Sequence, residues 1–333
     1  MTSKTPARVP VACSLGKRPE FVEWMKARVK DDRLLFRRVE LRVPLDDPSV
    51  DRVLADAVVF AAYRFTEREF ALAPRLQWLH LGLAGVDSAM FPAIKKSKIR
   101  VTSSRGLHDE TVPQAAWAFV LSFATGLHEG YCQKHERCWD RKAIVLNRTP
   151  LSRQRILIIG AGRIGSEIAR LAKQAGMEVW GVRRSRQERP SALFDRLLTP
   201  PKMKAALAHA DYVVLSTPGG QGTEKLIGAA ELKAMKPTAY LVNVARGSVV
   251  DEAALVSALR NGQIAGAGLD VFEQEPLPEN HAFYSLPNVA MTPHTSGDTA
   301  DYAYRAAEIF LTNLRRFLSG RPLINQIDKR KGY

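Results

Sequence analysis

RILIIGAGRIGSEIARLAKQAG, residues 155–176, decides the fold of this chain. Its apolar opening reads as a buried strand and its close as an amphipathic helix, and between them Gly160, Gly162 and Gly165 stand in G-x-G-x-x-G spacing. Each glycine has its own task at such a turn. The first permits the tight bend, the second leaves room for a pyrophosphate against the backbone, and the third lets the helix lie close to the strand. The N–H groups around Arg163 and Ile164 then face the pyrophosphate with the helix dipole behind them. A glycine-rich string alone is a weak signal. With a strand before it, a helix after it and a further strand at MEVWGV (177–182), it predicts a dinucleotide site.

The usual next signal, an Asp or Glu about 20 residues on that bonds the ribose hydroxyls, is missing. Arg183, Arg184 and Ser185 stand there, with Arg186 beside them, while Glu178 lies at the start of the strand, too early to reach a ribose. A carboxylate at this place would repel a 2′-phosphate, whereas a guanidinium pairs with one through two parallel hydrogen bonds. NADP (as NADPH) is therefore the expected cofactor, with NAD also possible; the competing reading is a solvated basic loop.

Working outward, short β-rich runs alternate with helical patterns on both sides. VPVACSL, LLFRRVEL, ADAVVFAAY, LQWLHLG and KIRVTSS read as strands over the first hundred residues, with helices at EFVEWMKARVK and TEREFALAPR. A long helical stretch, ETVPQAAWAFVLSFATGLHEGYCQKHERCW, precedes the turn NRTPLS. A second series of strands then runs through RILIIG, MEVWGV, DYVVLSTP, AYLVNVA, AGAGLDVF and NVAMTPH, and a last amphipathic helix ends at Gly320. This alternation is that of α/β domains with parallel sheets, and 333 residues suffice for two of them. The expected division is a substrate domain over 1–109, completed by 299–333, and a dinucleotide-binding domain over 110–298.

Reactive groups stand at the ends of the later strands: Arg246 in LVNVARGSVVDEAAL, Asp270 and Glu275 in AGAGLDVFEQEPLP, and His294 in NVAMTPH. In open α/β sheets ligands gather outside the carboxyl ends of the strands. A 2-oxo acid offers a carboxylate and a carbonyl that one arginine fork can hold together. After hydride arrives from a nicotinamide, the nascent alkoxide needs a proton; histidine is the natural donor, and a neighbouring carboxylate fixes its ring. Arg246, His294 and Glu275 fill these three roles. Singly each has an ordinary reading, as an ion-pair arginine, a loop histidine and a surface acid; their joint occurrence after a phosphate turn carries the argument.

Other features bound the answer. No run reaches the ~20 apolar residues of a membrane span and the start has no secretory pattern, so a cytoplasmic protein without membrane attachment is expected. Cys13, Cys132 and Cys138 complete no metal set, and no metal is expected. The net charge of +15 attracts anions, but the basic residues show no nucleic-acid reading motif, which makes nucleic acid an unlikely partner.

GAGRIG, STPGGQGTEKLIG, LVNVARGSVVDEAAL, AGAGLDVFEQEPLP and NVAMTPH, with RLQWLHLGLAGVDS near the start, resemble the D-isomer-specific 2-hydroxyacid dehydrogenase family over nearly the full length of the chain. The resemblance implies a flavodoxin-like substrate domain flanking an inserted NAD(P)-binding Rossmann domain, and a homodimer. It implies Arg246 as substrate anchor, Glu275 as the partner carboxylate and His294 as acid/base. It further implies Asp270 at the nicotinamide carboxamide, Thr217, Pro218 and Ala245 along the cofactor, and the backbone of Ala84, Gly85 and Val86 at the substrate carboxylate. His108, His128 and His135 match no catalytic motif. Gln114 stands where many members have Glu. The arginines at 183 and 184 and the segment CWDR are similar to glyoxylate and hydroxypyruvate reductases, which implies a small 2-oxo acid reduced with NADPH. Relatives that act as cofactor-sensing, corepressor-like interaction proteins supply the alternative reading.

Overall fold

The computed structural model describes residues 7–86, 89–146, 148–184, 192–220 and 222–330. The chain divides into two compact units, Met1–Leu107 with Thr299–Tyr333, and His108–Asp298.

The first unit is built on five strands, β1 (Val9–Ser14), β2 (Val39–Arg42), β3 (Val59–Ala62), β4 (Trp78–Leu81) and β5 (Arg100–Ser103), all parallel in the order β2-β1-β3-β4-β5. This is the flavodoxin-like order. The period of two along each strand divides the core into two layers. Val11, Cys13, Val59, Ala61 and Trp78 face one side, where they meet helices Pro19–Asp31 and Tyr302–Leu318. Ala12, Phe60, Ala62, Leu79 and Leu81 face the other, against Leu54 and Ile94 of the helices Asp47–Leu54 and Pro92–Lys96. The C-terminal helix thus completes this unit, with Phe310 fully buried 5.4 Å from the Trp78 ring. At the buried centre, the Trp78 indole N–H and the His80 ring meet the Thr102 hydroxyl at 2.8 Å each, and burial pushes the imidazole down to about 3.

The second unit holds seven parallel strands, β6 (Arg155–Ile159), β7 (Glu178–Val182), β8 (Arg196–Leu198), β9 (Tyr212–Leu215), β10 (Tyr240–Asn243), β11 (Gly266–Leu269) and β12 (Val289–Met291). Their order is β12-β11-β10-β9-β6-β7-β8. This is the Rossmann order with one added strand, and the chain reverses its direction of travel across the sheet between β6 and β9. Leu157, Ile159, Val213, Leu215, Leu241 and Leu269 point into one core layer; Ile156, Ile158, Tyr212, Val214 and Val242 point into the other.

Two expectations from the sequence need correction. LLFRRVEL is not one strand. Arg33–Arg38 is a helix, because the Asp32 carboxylate caps it by accepting the N–H groups of Leu34 and Leu35 at 2.9 and 3.0 Å, and only Val39–Arg42 is extended. The long helical stretch is likewise two helices, Thr111–Ala124 and Leu127–Glu136, divided at Gly126, whose φ of 72° is left-handed. No helix among the described residues is long and apolar enough to cross a membrane.

Candidate active site

The glycine turn lies between β6 and the helix Arg163–Gln174, at the reversal point of the second sheet. Gly160 has φ 108°, and a side chain there would stand 2.6 Å from the Ser216 carbonyl carbon. At Gly165 a methyl group would run into the Gly160 carbonyl oxygen. Gly162 differs: the nearest atom to a side chain at that position is the Gly160 oxygen, 4.0 Å away. Packing within the protein thus dictates the first and third glycines, while the second borders open space above a helix N-terminus, a cradle that fits an anion. Near it the Thr217 hydroxyl is buried without a hydrogen-bond partner, a polar group suited to a ligand. Pro218 beside it is exposed and Ala245 is buried. Ile164 is half-buried at the helix start, and the Arg163 side chain turns to Asp109, its Nε donating to Oδ2 at 2.7 Å.

Arg183 directly follows β7, its N–H bonded to the Leu198 carbonyl at 3.1 Å; Arg183 is half-buried and Arg184 exposed. Ser185 lies outside the described residues. Glu178, the acid at the start of that strand, is committed elsewhere. Arg155 and the Trp180 indole N–H bond its carboxylate, and the Arg155 guanidinium chiefly holds it below the usual carboxylate range.

Three strand ends carry the reactive groups. After β10 the chain turns through Ala245 and Arg246, and the turn is tied from inside by Asn243. Its side-chain oxygen accepts the Ala245 N–H at 3.1 Å, while its amide nitrogen donates to the Arg246 carbonyl at 3.0 Å. The stem of Arg246 lies over Gly219, where a side chain would come within 2.8 Å of Cγ. After β11, Asp270 is fully buried and its carboxylate accepts from the Thr292 hydroxyl at 2.6 Å, from Thr295 N–H at 2.9 Å and from Ser296 N–H at 3.1 Å. These bonds span the residue that follows β12 in a left-handed backbone, His294, with φ 53°. Such a conformation costs a non-glycine residue about 1–3 kcal/mol. Asp270 holds the loop in it.

Glu275 completes the arrangement. Its Oε1 accepts the Phe272 N–H at 3.0 Å and its Oε2 lies 2.6 Å from His294 Nδ1. With one oxygen fixed by the backbone, the other is presented to the ring, and with the proton on Nδ1 in that contact Nε2 is left outside it. The structure therefore brings Glu275 and His294 into direct contact and makes Asp270 the anchor of the histidine loop. Among the described residues no group of His, Cys, Asp and Glu could hold a metal ion.

Ala84, Gly85 and Val86 follow β4 in the first unit. Their loop is braced at its start, where Ser104 N–H donates to the carbonyls of Leu81 and Leu83 at 2.9 and 3.0 Å and the Tyr302 hydroxyl to the Gly82 carbonyl at 3.0 Å. Sequence reasoning missed Asn243 and His80. The signal for both was a polar residue within an otherwise apolar strand.

Residues 117–296 match the family described as D-isomer specific 2-hydroxyacid dehydrogenase, NAD binding domain. A glyoxylate reductase of Thermococcus gammatolerans is 37% identical over 270 residues, 79% of each chain. Two crystal structures agree over most of the chain. A D-isomer specific 2-hydroxyacid dehydrogenase family protein from Aeromonas salmonicida is 29% identical with a TM-score of 0.83, covering 97% of this chain and 100% of that one. The D-isomer specific 2-hydroxyacid dehydrogenase of Xanthobacter autotrophicus, solved in complex with NADPH and MES, is 26% identical with a TM-score of 0.80, covering 98% and 100%.

The glycine turn yields a test. Gly162→Ala leaves the melting temperature unchanged and weakens nicotinamide dinucleotide binding about tenfold, or ~1.4 kcal/mol, in a fluorescence titration. Gly165→Ala destabilises the fold itself by about 1–3 kcal/mol. Equal effects of the two substitutions on stability would refute the division of labour between these glycines.

Proposed function

The chain belongs to the D-isomer-specific 2-hydroxyacid dehydrogenase family, and on that premise we propose that it reduces a small 2-oxo acid of the glyoxylate or hydroxypyruvate kind to the D-2-hydroxy acid with NADPH. The observation that carries this reading is the 2.6 Å contact between Glu275 Oε2 and His294 Nδ1, with Glu275 itself fixed by the Phe272 N–H. A bound NADPH supplies the hydride. Arg246 holds the substrate carboxylate and carbonyl and draws charge from the carbonyl carbon. His294 gives its Nε2 proton to the forming alkoxide, and Glu275 stabilises the protonated ring and keeps its tautomer. The backbone N–H groups of Ala84, Gly85 and Val86 are assigned to the substrate carboxylate.

NADPH is assigned over NADH on Arg183 and Arg184, which occupy the end of β7 where a ribose-binding acid would stand. The NADPH complex of the Xanthobacter relative agrees with the phosphorylated cofactor. We also assign a homodimer. Trp139 is 94% exposed and Leu146 70%, with Tyr131 and Leu127 exposed nearby in sequence, and side chains this apolar are suited to cover by a second copy.

Purified protein is expected to oxidise NADPH with glyoxylate or hydroxypyruvate, and His294→Ala to lower kcat by about 10²–10⁴ with cofactor affinity retained. Absence of turnover on any 2-oxo acid overturns the enzymatic reading, and an active His294→Ala removes the histidine from it. Arg183→Asp is expected to reduce the NADPH-to-NADH ratio of kcat/KM by roughly 10- to 100-fold. An unchanged ratio returns the arginines to the solvated surface. In light scattering the wild type is expected at twice the chain mass, with Trp139→Glu combined with Leu146→Glu at the mass of one chain; an unaltered dimer places its interface elsewhere.

A further inference from the structure

Glu252 opens the helix Glu252–Arg260 six residues after Arg246, on a part of the chain to which no role in the chemistry has been given. Its side chain is largely buried, and burial, the dominant cause, holds its carboxyl above the ordinary carboxylate range; Glu273 and Glu275 push the same way, against the Glu273 N–H and His281. A buried carboxylate beside other acids is costly unless it is committed to donors. Glu252 has two. Oε1 accepts the Glu273 N–H at 2.6 Å, and Oε2 lies 3.5 Å from Nε2 of His281, whose Nδ1 is occupied by the Phe283 N–H.

The Glu273 N–H belongs to the peptide that joins Phe272 to Glu273, and that same peptide is fixed from the other side. A side chain at Gly247 would overlap its carbon, oxygen and nitrogen, so the backbone just after Arg246 lies directly against it. One peptide group is thus held between Gly247 and the Glu252 carboxylate. The next N–H toward the N-terminus, that of Phe272, binds Glu275 Oε1, and Glu275 Oε2 meets His294. A short chain of contacts therefore runs from Glu252 through two successive peptides, joined at Phe272, to Glu275 and the imidazole.

We propose that Glu252 is a positioning residue for the proton donor: its carboxylate oxygen fixes the Phe272–Glu273 peptide and so sets the place of Glu275 at His294. It touches neither substrate nor cofactor. The proposal rests on His294 being the proton donor, and its test is separable from that reading.

Two substitutions distinguish reach from charge. E252D keeps an acidic residue at the first position of the helix, where it favours the helix start, but its shorter side chain draws the oxygen away from the Glu273 N–H. E252Q gives up the charge and keeps an acceptor at full reach. The expected result is a fall of about tenfold in kcat for E252D, with KM for the 2-oxo acid, NADPH affinity and melting temperature unchanged, and recovery in E252Q to within about threefold of the wild type. Wild-type kcat in E252D, equal losses in both variants, or a loss confined to KM or to cofactor binding each overturn the proposal. If E252D unfolds, E252Q decides: a kcat as low as that of His294→Ala overturns it, and a near-normal kcat in a variant that retains only the acceptor supports it. Should His294→Ala abolish turnover while E252D does not alter it, the proton-donor reading stands and this inference alone falls.

Discussion

Parallel pairing of every strand is the constraint on which the rest depends. In each sheet it sends all carboxyl ends to one edge, so that residues distant in sequence emerge side by side. Gly160 after β6, Thr217 after β9, Arg246 after β10, Asp270 after β11 and His294 after β12 share that edge because the register allows no other arrangement. An antiparallel pair anywhere in this series would carry its reactive residue to the opposite edge. The apolar runs that build the strands are therefore also what assembles the chemistry.

Placement along an edge is coarse, and finer positioning comes from buried polar groups that face inward. Asn243 ties the turn before Arg246, and Asp270 holds the His294 loop in a left-handed backbone that would otherwise relax. Apart from the Thr292 hydroxyl on Asp270, these interactions are side chains gripping backbone, whose geometry is fixed by the peptide rather than by a second mobile side chain. A direct pairing of reactive side chains would leave both free to move; here only the final contact, Glu275 to His294, is of that kind.

This division explains which parts were legible in the sequence. Local requirements were readable: the three glycines because bend, approach and packing are each set within one turn, and Arg246, Glu275 and His294 because each follows an apolar strand. What escaped depends on partners far along the chain. The helix that replaces the expected strand starts on a local cap, Asp32 to Leu34 and Leu35, but that carboxylate is held by Arg315, 283 positions away, and Asp270 reaches residues 22 to 26 positions on. The division of the long helical stretch at Gly126 was visible as a glycine, but helix-compatible residues on both sides, apolar before it and polar after it, masked it.

The charge of the chain also becomes more specific once the units are known. Of the 49 basic side chains 27 fall in the first unit, against 15 of the 34 acidic ones; the second unit has the remaining 22 and 19. The first unit thus carries +12 of the +15. The two units treat negative charge differently. The second presents backbone N–H groups and a helix end at short range and needs little net charge to do so. The first carries a net charge whose long-range field attracts anions and fades as salt is added. The net charge is therefore chiefly a property of one unit.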